Sequence, residues 1–132
     1  MKILIRVKVK EVVDAIPMLR ELSAIPFPVV TAFKIARIMR ELDNEVKTFD
    51  MARARIVDKY CVKDLNGNFE LDAVGNIKIA PDKIEKCNKE IADLLNCEIE
   101  INTEKITLDE LSSADIKYTV EQIISMVGFL QE

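Results

Sequence analysis

The sequence predicts an α+β fold: a small antiparallel or mixed sheet, a long central helix at about 29–60, a short hairpin region at 62–79, and two or three further helices. Three observations carry this expectation. Residues 2–10 and 97–102 alternate apolar and charged side chains. Ile35, Met39, Leu42, Val46, Phe49, Ile56 and Tyr60 recur at alternating steps of four and three. Asn66-Gly67 is a two-residue hairpin signal. With 132 residues the expectation is a single domain, 1–132.

In the first segment Ile3, Ile5, Val7 and Val9 face one way, and Lys2, Arg6, Lys8 and Lys10 the other, with Leu4 out of pattern. That is a half-buried strand with a basic outer face. In the second, Cys97, Ile99 and Ile101 alternate with Glu98, Glu100 and Asn102. Opposite charges across a strand pair contribute roughly 0.2–1 kcal/mol each, and like charges repel. The two strands are therefore predicted neighbours, with most of the chain inserted between them.

Residues 11–24 carry an apolar face (Val12, Val13, Ile16, Leu19, Leu22) interrupted by Pro17. Proline removes a hydrogen bond from a helix interior. The expectation is a broken helix, with Asp14 capping a shorter one and Pro17 in its first turn. Pro26 and Pro28 make an extended connector, and Pro28 can open the next helix.

That helix holds the heptad-spaced stripe, with Arg53 in its one odd seat. If it runs unbroken from Val29 to Tyr60 it is roughly 45–50 Å long, suiting an arm, a spine or an oligomer contact. Its outer face mixes charges, with pairs such as Asp43–Lys47 expected. Arg53 is expected to snorkel, to pair with Asp50 one turn back, or to pack on a partner. The candidate interaction residues are Ile35, Met39, Leu42, Val46, Phe49 and Arg53 on the stripe, with Glu98 and Glu100 in the acidic stretch that continues through Glu104, Asp109 and Glu110.

Beyond Tyr60, residues 62–79 read as one or two short hairpins, with a type I′ turn at Asn66-Gly67. Pro81 starts a helix burying Ile84, Cys87, Ile91, Leu94 and Leu95. Thr107 and Glu110 match a capping box. A last helix is expected to carry Ile116, Val120, Ile123, Ile124, Val127 and Leu130. No internal repeat is expected.

Composition narrows the function. Hydrophobic residues make up 49% but aromatics only 5%, so the core should be aliphatic. Charged residues at 32%, and the lack of a ~20-residue apolar run, disfavour a membrane protein. The start, Met1-Lys2-Ile3-Leu4-Ile5-Arg6, does not read as a signal peptide. A net charge of −4, with bases and acids interleaved, disfavours nucleic acid as a partner. Three cysteines without a Cys-x-x-Cys suggest reduced, buried thiols.

Catalytic signals are sparse. The chain has no histidine, the commonest general base and a frequent zinc ligand. Three glycines (67, 75, 128) build no phosphate loop. Asp64-Leu65-Asn66-Gly67-Asn68 lacks the spacing of a calcium loop. Pro81-Asp82 and Asp115-Ile116-Lys117 match a metal-dependent nuclease signature only loosely, and Asp82 is better explained as a helix-start acid. Ser112-Ser113 has no base to activate it. The expectation is no enzyme, no cofactor and no metal.

Three stretches carry a family resemblance: Phe33-Lys34-Ile35-Ala36-Arg37, the run Phe49 to Tyr60 (Phe-Asp-Met-Ala-Arg-Ala-Arg-Ile-Val-Asp-Lys-Tyr), and Asn88 to Ile101, with the Asp-rich Asn-Gly hairpin between. The chain resembles the small uncharacterised proteins of tailed bacteriophages and prophages, a domain of unknown function. The resemblance covers most of residues 1–108 and weakens from Ala114. It implies a phage product made in the host bacterial cytoplasm, with no activity or functional residue to carry over. The expected role is a non-enzymatic virion component or assembly factor, contacting phage structural proteins or itself as a homo-oligomer. The alternative is a binding protein that inhibits a host defence system or host enzyme, with its acidic stretch occluding a basic surface.

Overall fold

A computed structural model of the chain describes residues 5–131. Lys2, Ile3 and Leu4 of the expected strand lie outside the described residues. In order come β1 (Ile5–Lys8), α1 (Val9–Ser23), α2 (Val29–Tyr60), the hairpin segment, a 3₁₀ turn at Pro81–Lys83, α3 (Ile84–Leu95), β2 (Glu98–Ile101), β3 (Ile106–Thr107), α4 (Leu108–Ser112), α5 (Val120–Ser125), a 3₁₀ turn at Val127–Phe129, and β4 (Leu130–Gln131). The fold is α+β, as the alternating and heptad patterns predict.

The chain divides into two compact units. One runs to Lys47 and resumes at Cys97; the other is Thr48–Asn96. The second is thus inserted in sequence between the two parts of the first, as the pairing of the first strand with residues 97–102 requires.

In the first unit β1 and β2 pair antiparallel, Ile5 with Ile101, Arg6 with Glu100, Val7 with Ile99 and Lys8 with Glu98. Each basic residue of β1 meets a glutamate, and Arg6 Nη2 lies 2.9 Å from Glu100 Oε1. The inward residues Ile5, Val7 and Ile101 enter an aliphatic core with Leu19, Leu22 and Ile38. These six side chains, each nearly or fully withdrawn from water, are worth on the order of 2 kcal/mol apiece.

The strand ends earlier than the alternation suggests. The Lys8 amide donates to Glu11 Oε1 at 3.2 Å, capping a helix that begins at Val9. The Val9 amide still donates to Cys97 O, closing the ladder at 2.9 Å. α1 is also unbroken, with Pro17 inside it. An interior proline costs about 3 kcal/mol, but this helix buries seven side chains, Val12, Ile16 and Leu19 among them. Pro17 itself sits on the exposed face, so its ring meets no neighbour across the core. Tertiary burial outweighs the local penalty.

The last helix is shorter than expected. Thr119 Oγ1 accepts from the Gln122 amide at 3.1 Å, and Gln122 Oε1 accepts from the Thr119 amide at 2.8 Å. This box starts α5 at Val120, leaving Ile116 in the preceding segment, where Tyr118 Oη donates to Leu111 O at 3.2 Å. After α5, Phe129 drops into the core and Leu130 pairs parallel with Ile106. The capping box at Thr107 and Glu110 forms as predicted.

In the second unit residues 61–79 make two hairpins closed by single pairs: Lys63 with Phe69, Leu71 with Ile77, and Cys61 with Ile79 across their base. Three backbone bonds run round in a ring. Val62 N–H donates to Lys78 O (2.8 Å), Lys78 N–H to Glu70 O (2.8 Å), and Glu70 N–H to Val62 O (3.0 Å). Donors and acceptors recur every eighth residue because the sequence does: Asp64-Leu65-Asn66-Gly67-Asn68-Phe69-Glu70-Leu71 is followed by Asp72-Ala73-Val74-Gly75-Asn76-Ile77-Lys78-Ile79. This short repeat corrects the expectation that none exists.

The turn type is corrected too. Type I′ needs positive φ at both Asn66 and Gly67. Among the described residues only Gly67 (+80°) and Gly75 (+88°) have it. Asp64 Oδ1 instead accepts the Asn66 and Asn68 amides, and Asp72 Oδ1 those of Val74 and Asn76, all at 2.9–3.0 Å. Each loop is a carboxylate-tied turn followed by a left-handed glycine.

Candidate interaction groove

The candidate residues of the long stripe separate by position. Ile35 and Leu42 are 2% and 0% exposed in the core of the first unit, and Met39 and Val46 are half-buried against that core. Ile35 and Leu42 belong to this chain's own core and Met39 and Val46 pack against it, so the reading of these four as an intermolecular seam is corrected. Heptad spacing marks a face that meets another element, and here that element is supplied by the same chain. Phe49 is half-buried in the second unit, and Arg53 is exposed there.

The acidic stretch is largely neutralised from within. Glu100 pairs with Arg6, and Lys34 Nζ lies 2.7 Å from Glu110 Oε1 and 3.6 Å from Glu104 Oε2. Glu98 stands exposed, opposite Lys8 across the ladder. Glu98 and Glu100 thus serve strand pairing first.

Arg53 lines an open groove of about 730 Å³ within the second unit. α2 contributes Asp50, Arg53, Ala54 and Val57, α3 contributes Cys87, Asn88 and Ile91, and the second hairpin contributes Asn76 and Ile77 beside Phe69. Its lining mixes apolar side chains such as Val57, Phe69, Ile77, Ile79 and Ile91 with the polar Asp50, Arg53, Asn76 and Asn88. α2 places Asp50, Arg53, Ala54 and Val57 on one face because steps of three and four return to the same side of a helix. α3 is tied to α2 by Lys59 Nζ, which lies 2.8 Å from Glu90 Oε1. That hydrogen bond raises the Lys59 pKa and lowers that of Glu90. The hairpin wall is set by Asp72, whose carboxylate fixes the loop leading into Asn76 and Ile77.

Among the described residues neither Asp50 nor Arg53 makes an ion pair or side-chain hydrogen bond, so the expected Asp50–Arg53 bridge is absent. Both are exposed. The Asp43–Lys47 pair is likewise not formed, while Arg40 lies 3.6 Å from Glu41.

The second unit holds little core. Among its residues only Cys87, at 3% exposure, is fully buried. Met51, Leu71 and Val74 are 60% exposed or more, and Ile84, expected on a buried face, is 45% exposed. None of the three cysteines forms a disulfide, but only Cys87 is buried; Cys61 is half-buried and Cys97, just ahead of β2, is exposed. That corrects the expectation of three buried thiols.

The sequence pointed to Arg53 but missed Asp50, Phe69, Ile77 and Cys87 as groove residues. The available signal was the eight-residue repeat, which aligns Phe69 with Ile77.

Chemically the groove offers one guanidinium, one carboxylate, two side-chain amides and several apolar side chains. Among the described residues no three His, Cys, Asp or Glu side chains come together to hold a metal. No helix among them is long and apolar enough to cross a membrane. No protein-family model, curated protein or solved structure matches the chain.

Proposed function

We propose that this chain is a non-enzymatic bacteriophage protein, a virion component or an assembly factor, acting through protein–protein contacts after synthesis in the host bacterial cytoplasm. One observation carries the reading: the second unit buries only Cys87 among its described residues while it exposes Met51, Leu71, Val74 and Ile84. So thin a core beside large apolar side chains left in water favours burial of part of this unit against a partner. The phage setting rests on the resemblance at Phe49–Tyr60 and Asn88–Ile101. Neither an enzyme activity nor a cofactor, nucleic-acid or membrane partner is part of the proposal.

The test is quantitative mass spectrometry of purified particles from a phage encoding the chain, with parallel sampling of assembly intermediates. Multiple copies per particle support a virion component. Presence on intermediates alone supports an assembly factor. Absence from both overturns the proposal.

A second reading, a binding protein that inhibits a host defence system or host enzyme, draws on a different surface. In the first unit Glu11, Asp14 and Glu121 surround Ile124 and Val127 in a depression of about 390 Å³. Carboxylates around an apolar floor suit a basic, amphipathic partner segment. Reversing Asp14 and Glu121 to lysine should abolish capture of such a host protein; undiminished capture would exclude this surface.

A further inference from the structure

We propose that copies of this chain associate head to tail, the outer face of the first turns of α2 on one copy seating in the depression beside α5 on the next. The proposal rests on the protein-contact reading above and names the contact. Over residues 29–40 α2 is apolar on two opposite sides. Ile35 and Ile38 face the core, 2% and 0% exposed. At 3.6 residues per turn Phe33 stands about 160° round the helix from Ile35. Phe33 is 65% exposed, and Val29 and Val30 beside it are 84% and 76% exposed. The outer side of a surface helix is ordinarily polar. The first unit has an extensive core, so this exposure does not follow from a thin one. Arg37 and Arg40 continue the same side at steps of four and three, both exposed. Residues 29–40 contain no acid. Lys34 is engaged by Glu110 and Arg40 lies 3.6 Å from Glu41, while Arg37 has no charged partner among the described residues.

The hollow that matches this face is in the same unit. Ile124 and Val127, each 64% exposed, line it with Glu11, Asp14 and Glu121. None of the three carboxylates makes an ion pair among the described residues. Its volume, about 390 Å³, exceeds that of a phenylalanine side chain, and Phe33 of the same chain does not line it. A hollow of this chemistry takes a basic, amphipathic segment. Residues 29–40 are such a segment: Phe33 enters, and Arg37 and Arg40 meet Asp14 and Glu121. An unrelated partner would cover one of the two faces and leave the other in water. A second copy covers both with a single kind of junction, and that selects it as the occupant. The faces belong to different elements, so the contact is heterologous. Each copy offers one knob and one hollow, and association runs on into a ring or a filament.

The experiment is sedimentation equilibrium on the full chain as wild type, Phe33→Ser, the pair Asp14→Lys with Glu121→Lys, and an equimolar mixture of the two variants. Wild type should associate. Removing the knob or reversing the hollow should each weaken association at least about tenfold. The mixture should form one-to-one pairs and nothing larger, because the intact knob of one variant meets the intact hollow of the other and the remaining ends are blocked. A chain carrying Arg37→Glu, Arg40→Glu, Asp14→Lys and Glu121→Lys together should associate again. Every substituted position is exposed, so melting temperatures should stay close to the wild-type value. A monomeric wild type would overturn the proposal, including one that captures a host protein through Asp14 and Glu121. So would a variant that associates like wild type, or a mixture that stays monomeric or grows beyond pairs. Copies in particles with a monomeric wild type would defeat this junction alone. Absence from particles and intermediates, with association intact, would defeat the functional reading alone.

Discussion

Lys34 Nζ lies 2.7 Å from Glu110 Oε1, joining α2 to α4 in the first unit. The two side chains are only 16% and 19% exposed. Glu110 Oε1 also accepts the Thr107 amide at 2.9 Å as the reciprocal half of the α4 capping box. Lys34 donates to Lys105 O as well, at 3.2 Å. One carboxylate therefore caps a helix and neutralises a lysine from another. Removing one partner of a largely buried pair strands the other. Lys34→Met should destabilise the protein by roughly 2 kcal/mol, below the 3–5 of a fully buried pair because some water reaches it. Thermal unfolding checks this; an unchanged melting temperature would show that the pair contributes nothing.

Acid should act through the same residue. Burial pushes the Glu110 carboxyl upward, but hydrogen bonds from Lys34 and Thr107 outweigh it and hold the pKa below 4.5. A carboxylate whose folded pKa is depressed adds stability that is fully present above its unfolded pKa. That stability fades as pH falls through the folded value. Wild type should therefore lose melting temperature below about pH 4.5 more steeply than Glu110→Gln, which is less stable at neutral pH. Parallel pH–melting curves would contradict the assignment.

Charge pattern made the β1–β2 pairing legible, because lysine and arginine opposite glutamate is a property of two segments that can be compared directly. The capping box at Thr107 was legible because it is local. The continuity of α1 through Pro17 was not, since burial of Val12, Ile16 and Leu19 overrides a local rule. The stripe was read correctly as a buried seam at Ile35 and Leu42, but periodicity does not reveal whose surface covers it. The groove was hidden for a related reason. Asp50 and Arg53 are adjacent on a helix, whereas Phe69, Ile77 and Cys87 join them only through tertiary structure.

Leu42 is fully buried. Leu42→Ala should cost about 2–5 kcal/mol, the range for a cavity left in a well-packed core. Arg53→Leu, at an exposed position, should leave the melting temperature almost unchanged. Denaturant melts of the two variants separate core from surface. Equal losses would mean that the stripe is buried along its whole length.

Gly128 marks a close approach in the first unit. A Cβ placed there would lie 2.6 Å from Glu11 Oε2 and 3.0 Å from Val7 Cγ1. Glu11 can move, but its other oxygen caps α1 through the Lys8 amide at 3.2 Å. Gly128→Ala should thus cost about 1–2 kcal/mol, through the lost cap and a displaced Val7. With Glu11→Ala already present, the same change should cost less, because only Val7 then has to give. Additive losses in the four-variant cycle would show that the cap is unaffected.

The second hairpin links local turn chemistry to the groove. Asp72 Oδ1 accepts the Val74 and Asn76 amides, and Gly75 adopts φ +88°, so the loop reaches Asn76 and Ile77 in one conformation. Asp72→Ala removes both carboxylate bonds, while Gly75→Val places a β-branched side chain where φ is positive. Each should loosen the groove wall at a local cost of about 1–2 kcal/mol. Hydrogen exchange should rise at the amides of Val74 and Asn76 and stay at wild-type values at Val7 and Ile101, whose unit does not contain the loop. Unchanged exchange at Val74 and Asn76 in Asp72→Ala would show that the carboxylate does not hold the loop.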